Sequence, residues 1–138
     1  MKNELSNELR QKLIGLARQA REKAYAPYSG YQVGAALLTT SGKIFTGCNV
    51  ESAAYPTSMC AERVAVFKAV SEGEREFVAI AVVTSNGATP CGACRQVLAE
   101  FGLHLLVLIA DAEGNIKQEA TLSELLPGAF TPKDLRKK

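Results

Sequence analysis

Three thiols and one carboxylate define the chemistry this chain could do: Cys60-Ala61-Glu62 is followed further along by Pro90-Cys91-Gly92-Ala93-Cys94. A thiol binds a metal as thiolate, and three thiolates around a zinc ion leave its fourth position open to a water. Glu62, just past the first thiol, is then placed to handle that water's protons, so the open position reads as catalytic. Three thiolates outweigh the charge of Zn²⁺, which weakens its Lewis acidity. Arg63, beside the acid, is the candidate to offset this by hydrogen bonding to sulfur, a task its guanidinium fork suits better than a lysine would.

Taken alone, the Cys-x-x-Cys pair also fits a redox dithiol or half of a structural zinc site. A closed structural site wants a fourth protein ligand, and the choices are Cys48 and His104. His104 opens an apolar run and reads as a core or strand-edge histidine. Cys48, within Gly47-Cys48-Asn49, reads as a small buried thiol on a strand. Neither choice explains Glu62.

Rigid elements must bring these groups together. Leu5, Leu9, Leu13, Leu16, Ala17, Ala20 and Ala24 recur at three- and four-residue steps, which predicts an amphipathic helix ending before Pro27. After the breaker cluster Ala26-Pro27-Tyr28-Ser29-Gly30, residues 33–39 and 44–50 read as two strands joined by a turn at Thr40-Ser41-Gly42-Lys43. An irregular stretch, 51–57, leads to a helix from Ser58 to Gly73 with Cys60 and Glu62 in its first turn. Residues 77–84 read as a strand, 85–90 as a loop, and 92–101 as a short helix with Gly102 as its C-cap. Residues 104–110 read as a strand buried on both faces and 116–119 as an edge strand. Thr121 and Glu124 read as the capping box of a final helix. This order predicts an α/β fold, with helices on a mixed sheet, the first two strands antiparallel and the later ones joined through helical crossovers. Two helix starts, carrying Cys60 and Cys91/Cys94, could converge on one ion, their positive ends easing thiol deprotonation.

At 138 residues the chain suits a single domain over 1–138, and an apolar share of 47% against 22% charged excludes a disordered one. The net charge is +2 and the basic residues are scattered, with only Arg136, Lys137 and Lys138 forming a run, which argues against a nucleic-acid-tracking surface. Residues 1–13 carry neither a signal-peptide core nor a membrane span, so no membrane partner is expected and the expected compartment is cytoplasmic. In that reducing setting the four cysteines are metal ligands or free thiols rather than disulfides.

With these residues in view, the chain resembles the cytidine deaminase family, in its short, three-cysteine, homotetrameric branch. The resemblance runs through Ala26-Pro27-Tyr28-Ser29, Val33-Gly34-Ala35-Ala36-Leu37, Gly47-Cys48-Asn49-Val50-Glu51, Cys60-Ala61-Glu62-Arg63, Pro90-Cys91-Gly92-Ala93-Cys94-Arg95-Gln96 and Leu125-Leu126-Pro127-Gly128-Ala129-Phe130. It implies a three-layer α/β/α fold with a mixed, mostly five-stranded sheet, and one zinc per subunit held by Cys60, Cys91 and Cys94. It implies hydrolytic deamination of cytidine and 2′-deoxycytidine in pyrimidine salvage, the zinc activating the water that attacks C4. Glu62 would pass the water's proton to N3 and later protonate the departing amino group. Asn49 and Glu51 would hydrogen-bond the ribose 3′-hydroxyl, for which turn chemistry after a strand is the alternative reading. The Ala61 amide would bind the base carbonyl.

The family usually has phenylalanine where Tyr31 stands, stacking on the substrate; here a hydroxyl must find water or a partner. Phe130 aligns with an aromatic that reaches the base from a neighbouring subunit, or it plugs its own core. Tyr55 faces the pocket or an interface. Another cytosine-containing small molecule, such as blasticidin S, is an alternative substrate, although Asn49-Val50-Glu51 favours a free ribose. The alternative from a different class is a small binding module with structural zinc.

Overall fold

A computed structural model describes residues 5–135; the basic run Arg136-Lys137-Lys138 lies outside them. Helix α1 (Asn7–Arg21) begins where Ser6, in extended backbone, accepts the Leu9 N–H at 3.1 Å. Its inward stripe is Leu13, Ile14, Ala17 and Ala20. The chain then builds β1 (Gly34–Thr39), β2 (Ile44–Cys48), α2 (Ala61–Ser71), β3 (Phe77–Val83), α3 (Gly92–Ala99), β4 (Leu106–Ala110), β5 (Ile116–Thr121) and α4 (Leu122–Leu125). Gly42, at φ 91°, makes the β1–β2 turn in a conformation L side chains rarely adopt. At the other end Thr121 and Glu124 form the expected capping box, with the Thr121 N–H donating to Glu124 Oε1 at 2.8 Å.

The strands form one sheet in the order β2-β1-β3-β4-β5. β1 is antiparallel to both β2 and β3, β3 and β4 are parallel, and β5 is antiparallel to β4. Parallel neighbours need a crossover, and α3 supplies it. The three central strands are buried on both faces, so alternate residues feed two cores. Leu37, Ile80, Val82, Val107 and Ile109 pack with α2, α3 and α4. Ala36, Leu38, Ala79, Ala81 and Leu108 meet α1 on the opposite face, where the alanines let the helix lie close. The result is the three-layer α/β/α arrangement.

Some boundaries differ from those read in the sequence. β2 stops at Cys48, and β4 starts at Leu106, leaving His104 exposed in a turn. Cys60 is the N-cap of α2, one residue before its first turn. The stretch after β2 is also less free than its composition suggests. Tyr25 brackets Asn49 and Glu51 with two backbone bonds (2.9 and 2.8 Å), and Val50 exchanges a pair with Met59 (2.9 and 2.8 Å). Among the described residues no helix is long and apolar enough to cross a membrane.

Candidate active site

Helix α2 follows β2 and α3 follows β3, so both helices start beyond the carboxyl ends of parallel-running strands, where α/β sheets place their clefts. Gly47 seats α2 on β2: a Cβ there would lie 2.5 Å from the Ala61 carbonyl oxygen and 2.7 Å from the Ala65 nitrogen. Cys60 and Cys91 are the N-caps of the two helices, and neither side chain caps a backbone N–H. The first amides of each helix therefore present their positive end to the sulfurs. Cys94, in the first turn of α3, is fully buried.

The three sulfurs lie within 4.8 Å of one another, with 3.9 Å between Cys60 and Cys91 and 3.4 Å between Cys91 and Cys94. Ligands on a tetrahedral zinc at a Zn–S length of ~2.3 Å sit ~3.8 Å apart, so this donor set fits that ion. All four cysteines are free, and Cys48 lies outside the cluster, as does His104. Among the described residues the cluster holds three ligands and no fourth, which suits an open site better than a closed structural one.

Charge around the sulfurs is strongly organised. Arg63 Nη2 donates to Cys60 Sγ at 3.2 Å. The Cys60 thiol is held down at about 5, chiefly by its hydrogen bond with Cys94 and then by Arg63, against the opposing effect of burial. Cys94 is pushed up by the same bond and by burial. The two shifts share one cause, the hydrogen bond between the two thiols, which lowers one and raises the other. Glu62 is almost wholly inaccessible, at 4% exposure. Burial pushes its carboxyl up to about 7, the Cys60 charge adds to this, and its own backbone N–H and Arg63 pull the other way. A carboxyl poised near neutrality can both accept and return a proton.

Cys60, Glu62, Arg63 and Cys91 line a cavity of roughly 520 Å³, within the ~300–1,000 Å³ usual for small-molecule sites. Tyr31, Asn49, Glu51 and Ala61 line it, and so does Tyr55, which meets Tyr28 edge-on at 5.8 Å between ring centroids. Asn49 and Glu51 also build the wall itself. Asn49 Oδ1 accepts the Val33 N–H at 2.9 Å, and its Nδ2 donates to the Tyr31 carbonyl at 2.8 Å. The Glu51 carboxylate accepts the N–H groups of Tyr28 and Ser29 at 3.0 and 3.1 Å, and the Ser29 hydroxyl. The Ser29 hydroxyl, its N–H and that of Tyr28 hold the Glu51 carboxyl below the usual range. One amide hydrogen on Asn49 and a lone pair on Glu51 are left over from these bonds and could serve a ligand.

Phe130 is not among the residues lining this cavity; it is 54% exposed, on the arm that follows α4. Two side chains just beyond Cys94 hold that arm. Arg95 Nη1 donates to the Leu125 carbonyl at 2.7 Å and Gln96 Nε2 to that of Phe130 at 2.8 Å. Sequence reasoning missed the wall formed by Thr84, Ala88 and Thr89. The one signal for it was its place in a polar loop leading straight into Pro90-Cys91.

Comparison with known proteins gives a consistent picture. The family described as the cytidine and deoxycytidylate deaminase zinc-binding region matches residues 7–110. The chain is 56% identical to the cytidine deaminase of Halalkalibacterium halodurans over 91% of its own length and 97% of that protein's. It is 52% identical to that of Sporosarcina psychrophila, over 91% and 93%. Among solved structures, the cytidine deaminase of Burkholderia pseudomallei is similar with a TM-score of 0.84 at 47% identity, covering 91% of this chain and all of that one.

Proposed function

The chain belongs to the cytidine and deoxycytidylate deaminase family, and we propose that it hydrolyses cytidine and 2′-deoxycytidine to uridine and 2′-deoxyuridine with release of ammonia, as one domain over 1–138 serving pyrimidine salvage. The observation that carries this reading is the buried Glu62 carboxyl beside three clustered thiols, on the floor of a cavity of nucleoside size.

Cys60, Cys91 and Cys94 would hold one zinc, which when bound supplies Lewis acidity to a water in the open position. Glu62 takes a proton from the water as its oxygen bonds to C4 and delivers it to N3. It then takes the second proton to the amino nitrogen, which leaves as ammonia with the electrons of the broken C4–N bond. A carboxyl held near 7 loses little in either direction. Arg63, bonded to Cys60 Sγ, draws charge off the thiolate cluster. The Ala61 amide, at the start of α2, orients the base carbonyl. Asn49 and Glu51 hold the ribose with their remaining hydrogen-bonding capacity. Tyr31 stacks on the base.

The enzyme works as a homotetramer with shared sites, in which Phe130 enters a neighbour's cavity. Two observations support this: Phe130 stands outside its own cavity, and Tyr25, Phe67 and Phe130 leave large apolar side chains exposed, the kind of surface a subunit contact covers. Four unpaired cysteines suit the reducing cytoplasm.

The test combines the zinc content of purified protein with loss of cytidine absorbance, in wild type and Glu62→Gln. The expected result is one zinc per chain in both, with turnover in the variant down by about 10²–10⁴-fold or more. Turnover of blasticidin S but not of cytidine, or an unchanged rate in Glu62→Gln, would refute the reading.

A further inference from the structure

The Tyr31 hydroxyl donates to Asn86 Oδ1 at 2.7 Å. That bond joins two neighbouring loops that both line the cavity, residues 28–33 before β1 and residues 84–90 between β3 and α3, whose strands pair at Gly34 and Val83. Thr84, itself 3% exposed, donates its hydroxyl to the same Asn86 oxygen at 3.3 Å and accepts the Ala88 N–H at 3.0 Å. One amide oxygen thus gathers two hydroxyls, and the loop that runs into Pro90-Cys91 is tied to it. Tyr31 is also held by its backbone: its N–H donates to Ser29 Oγ at 3.0 Å and its carbonyl accepts from Asn49 Nδ2. The ring lines the cavity, whereas Asn86 does not. Held at N–H, carbonyl and hydroxyl, the ring cannot rotate away from the cavity without breaking a bond.

We propose that the Tyr31–Asn86 bond is a latch behind the cavity wall that fixes the angle of the Tyr31 ring against the substrate base, which makes Asn86 a positioning residue for substrate binding. The inference rests on the deaminase reading and assigns a task to the hydroxyl that a phenylalanine would lack. A preset ring spares the bound state the ordering of that side chain, so the latch acts on affinity more than on chemistry.

Kinetics of the zinc-loaded enzyme with cytidine, in wild type, Tyr31→Phe, Asn86→Leu and the double variant, test it. Either single change raises KM about three- to fivefold, the return of one hydrogen bond, with kcat within about twofold. The double variant is no worse than Asn86→Leu alone. Asn86→Asp, which keeps an oxygen acceptor for both hydroxyls, recovers most of the KM lost in Asn86→Leu. An unchanged KM in Tyr31→Phe, additive effects in the double variant, or a fall in kcat as large as the rise in KM overturns the latch. Thermal unfolding of the same four proteins reads the bond without turnover: the losses are coupled if the latch exists, and independent losses overturn it. Wild-type enzyme that leaves cytidine intact overturns the underlying reading instead, so the two failures are distinguishable.

Discussion

Replacing Gly47 with alanine moves the active site without touching it. A Cβ at Gly47 would sit 2.5 Å from the Ala61 carbonyl oxygen, 2.7 Å from the Ala65 nitrogen and 3.0 Å from Val64 Cβ. Two of these are backbone atoms of the first turns of α2, so no rotamer relieves the clash. Ordinary contact begins at 3.4 Å, so the start of α2 must withdraw from β2 by about 0.9 Å, the difference between 3.4 and 2.5 Å. Forcing a methyl group into so close a contact costs about 1–3 kcal/mol. For a chain of this size that lowers Tm by roughly 3–5 °C per kcal/mol. The same displacement shifts Cys60 and Glu62 relative to Cys91 and Cys94, and a misplacement of ~1 Å can cost about 10²-fold in rate. The assay pairs thermal unfolding with kcat/KM for cytidine. Gly15→Ala is the control of opposite sign: nothing lies within 4 Å of the added methyl in α1, so it stabilises by about 0.5–1 kcal/mol and leaves kcat/KM alone. Wild-type Tm and kcat/KM in Gly47→Ala would show that α2 is not set by this close approach.

Arg63→Leu retains zinc but loses about 10–100-fold in kcat, measured on zinc-matched samples, because the cation 3.2 Å from Cys60 Sγ is gone. Chelation abolishes turnover, added zinc restores it, and a thiol reagent counts two more reactive cysteines, Cys60 and Cys91, in the stripped protein than in the loaded one, because Cys94 is buried. Glu51 has its carboxyl lowered from 4.5 in the folded state, so its clasp on Tyr28 and Ser29 is present above pH 4.5 and is lost as pH falls through the lowered value. The Tm of wild type therefore falls more steeply than that of Glu51→Gln below about pH 4.5; parallel curves would contradict this. Phe130→Ala and Glu62→Gln are each defective alone, but mixed and reassembled they regain activity, because some sites then pair an intact Glu62 with an intact Phe130. No recovery over either parent would show that Phe130 does not act across subunits.

What the sequence made legible was whatever repeats or recurs locally. The stripe of Leu13, Ile14, Ala17 and Ala20 announces α1, the apolar run before Asp111 announces a strand buried on both faces, and Thr121 with Glu124 announces α4. The candidate site was legible for a similar reason, since Cys60, Glu62, Cys91 and Cys94 lie within short motifs at the starts of helices. Hidden were the features that depend on distant pairings. Nothing in Glu51 to Thr57 shows that Val50 pairs with Met59 and Tyr25, because isolated bridges leave no periodic trace. The bond from Tyr31 to Asn86 joins segments far apart in the chain and could be found only in space. His104 misled because an apolar run says where a strand can be, not where its hydrogen bonds begin.

Asn49 and Glu51 show why the two readings of a polar pair after a strand were not true alternatives. Turn chemistry and ligand contact compete only if a side chain has capacity for one, and an amide and a carboxylate have more. Asn49 spends one donor and one acceptor on the loop bearing Tyr31, and Glu51 spends three acceptances on Tyr28 and Ser29. Those bonds fix the direction of the groups left over, so the part of each side chain that faces the cavity is oriented before any ligand arrives. Binding then costs less ordering than it would on a free loop. Backbone bonds from Tyr25 to both residues complete the restraint. If Asn49 and Glu51 hold the ribose and Tyr31 stacks on the base, as proposed, the wall that holds Tyr31 and the groups offered to the sugar are the same two side chains, and a change at either one disturbs both contacts.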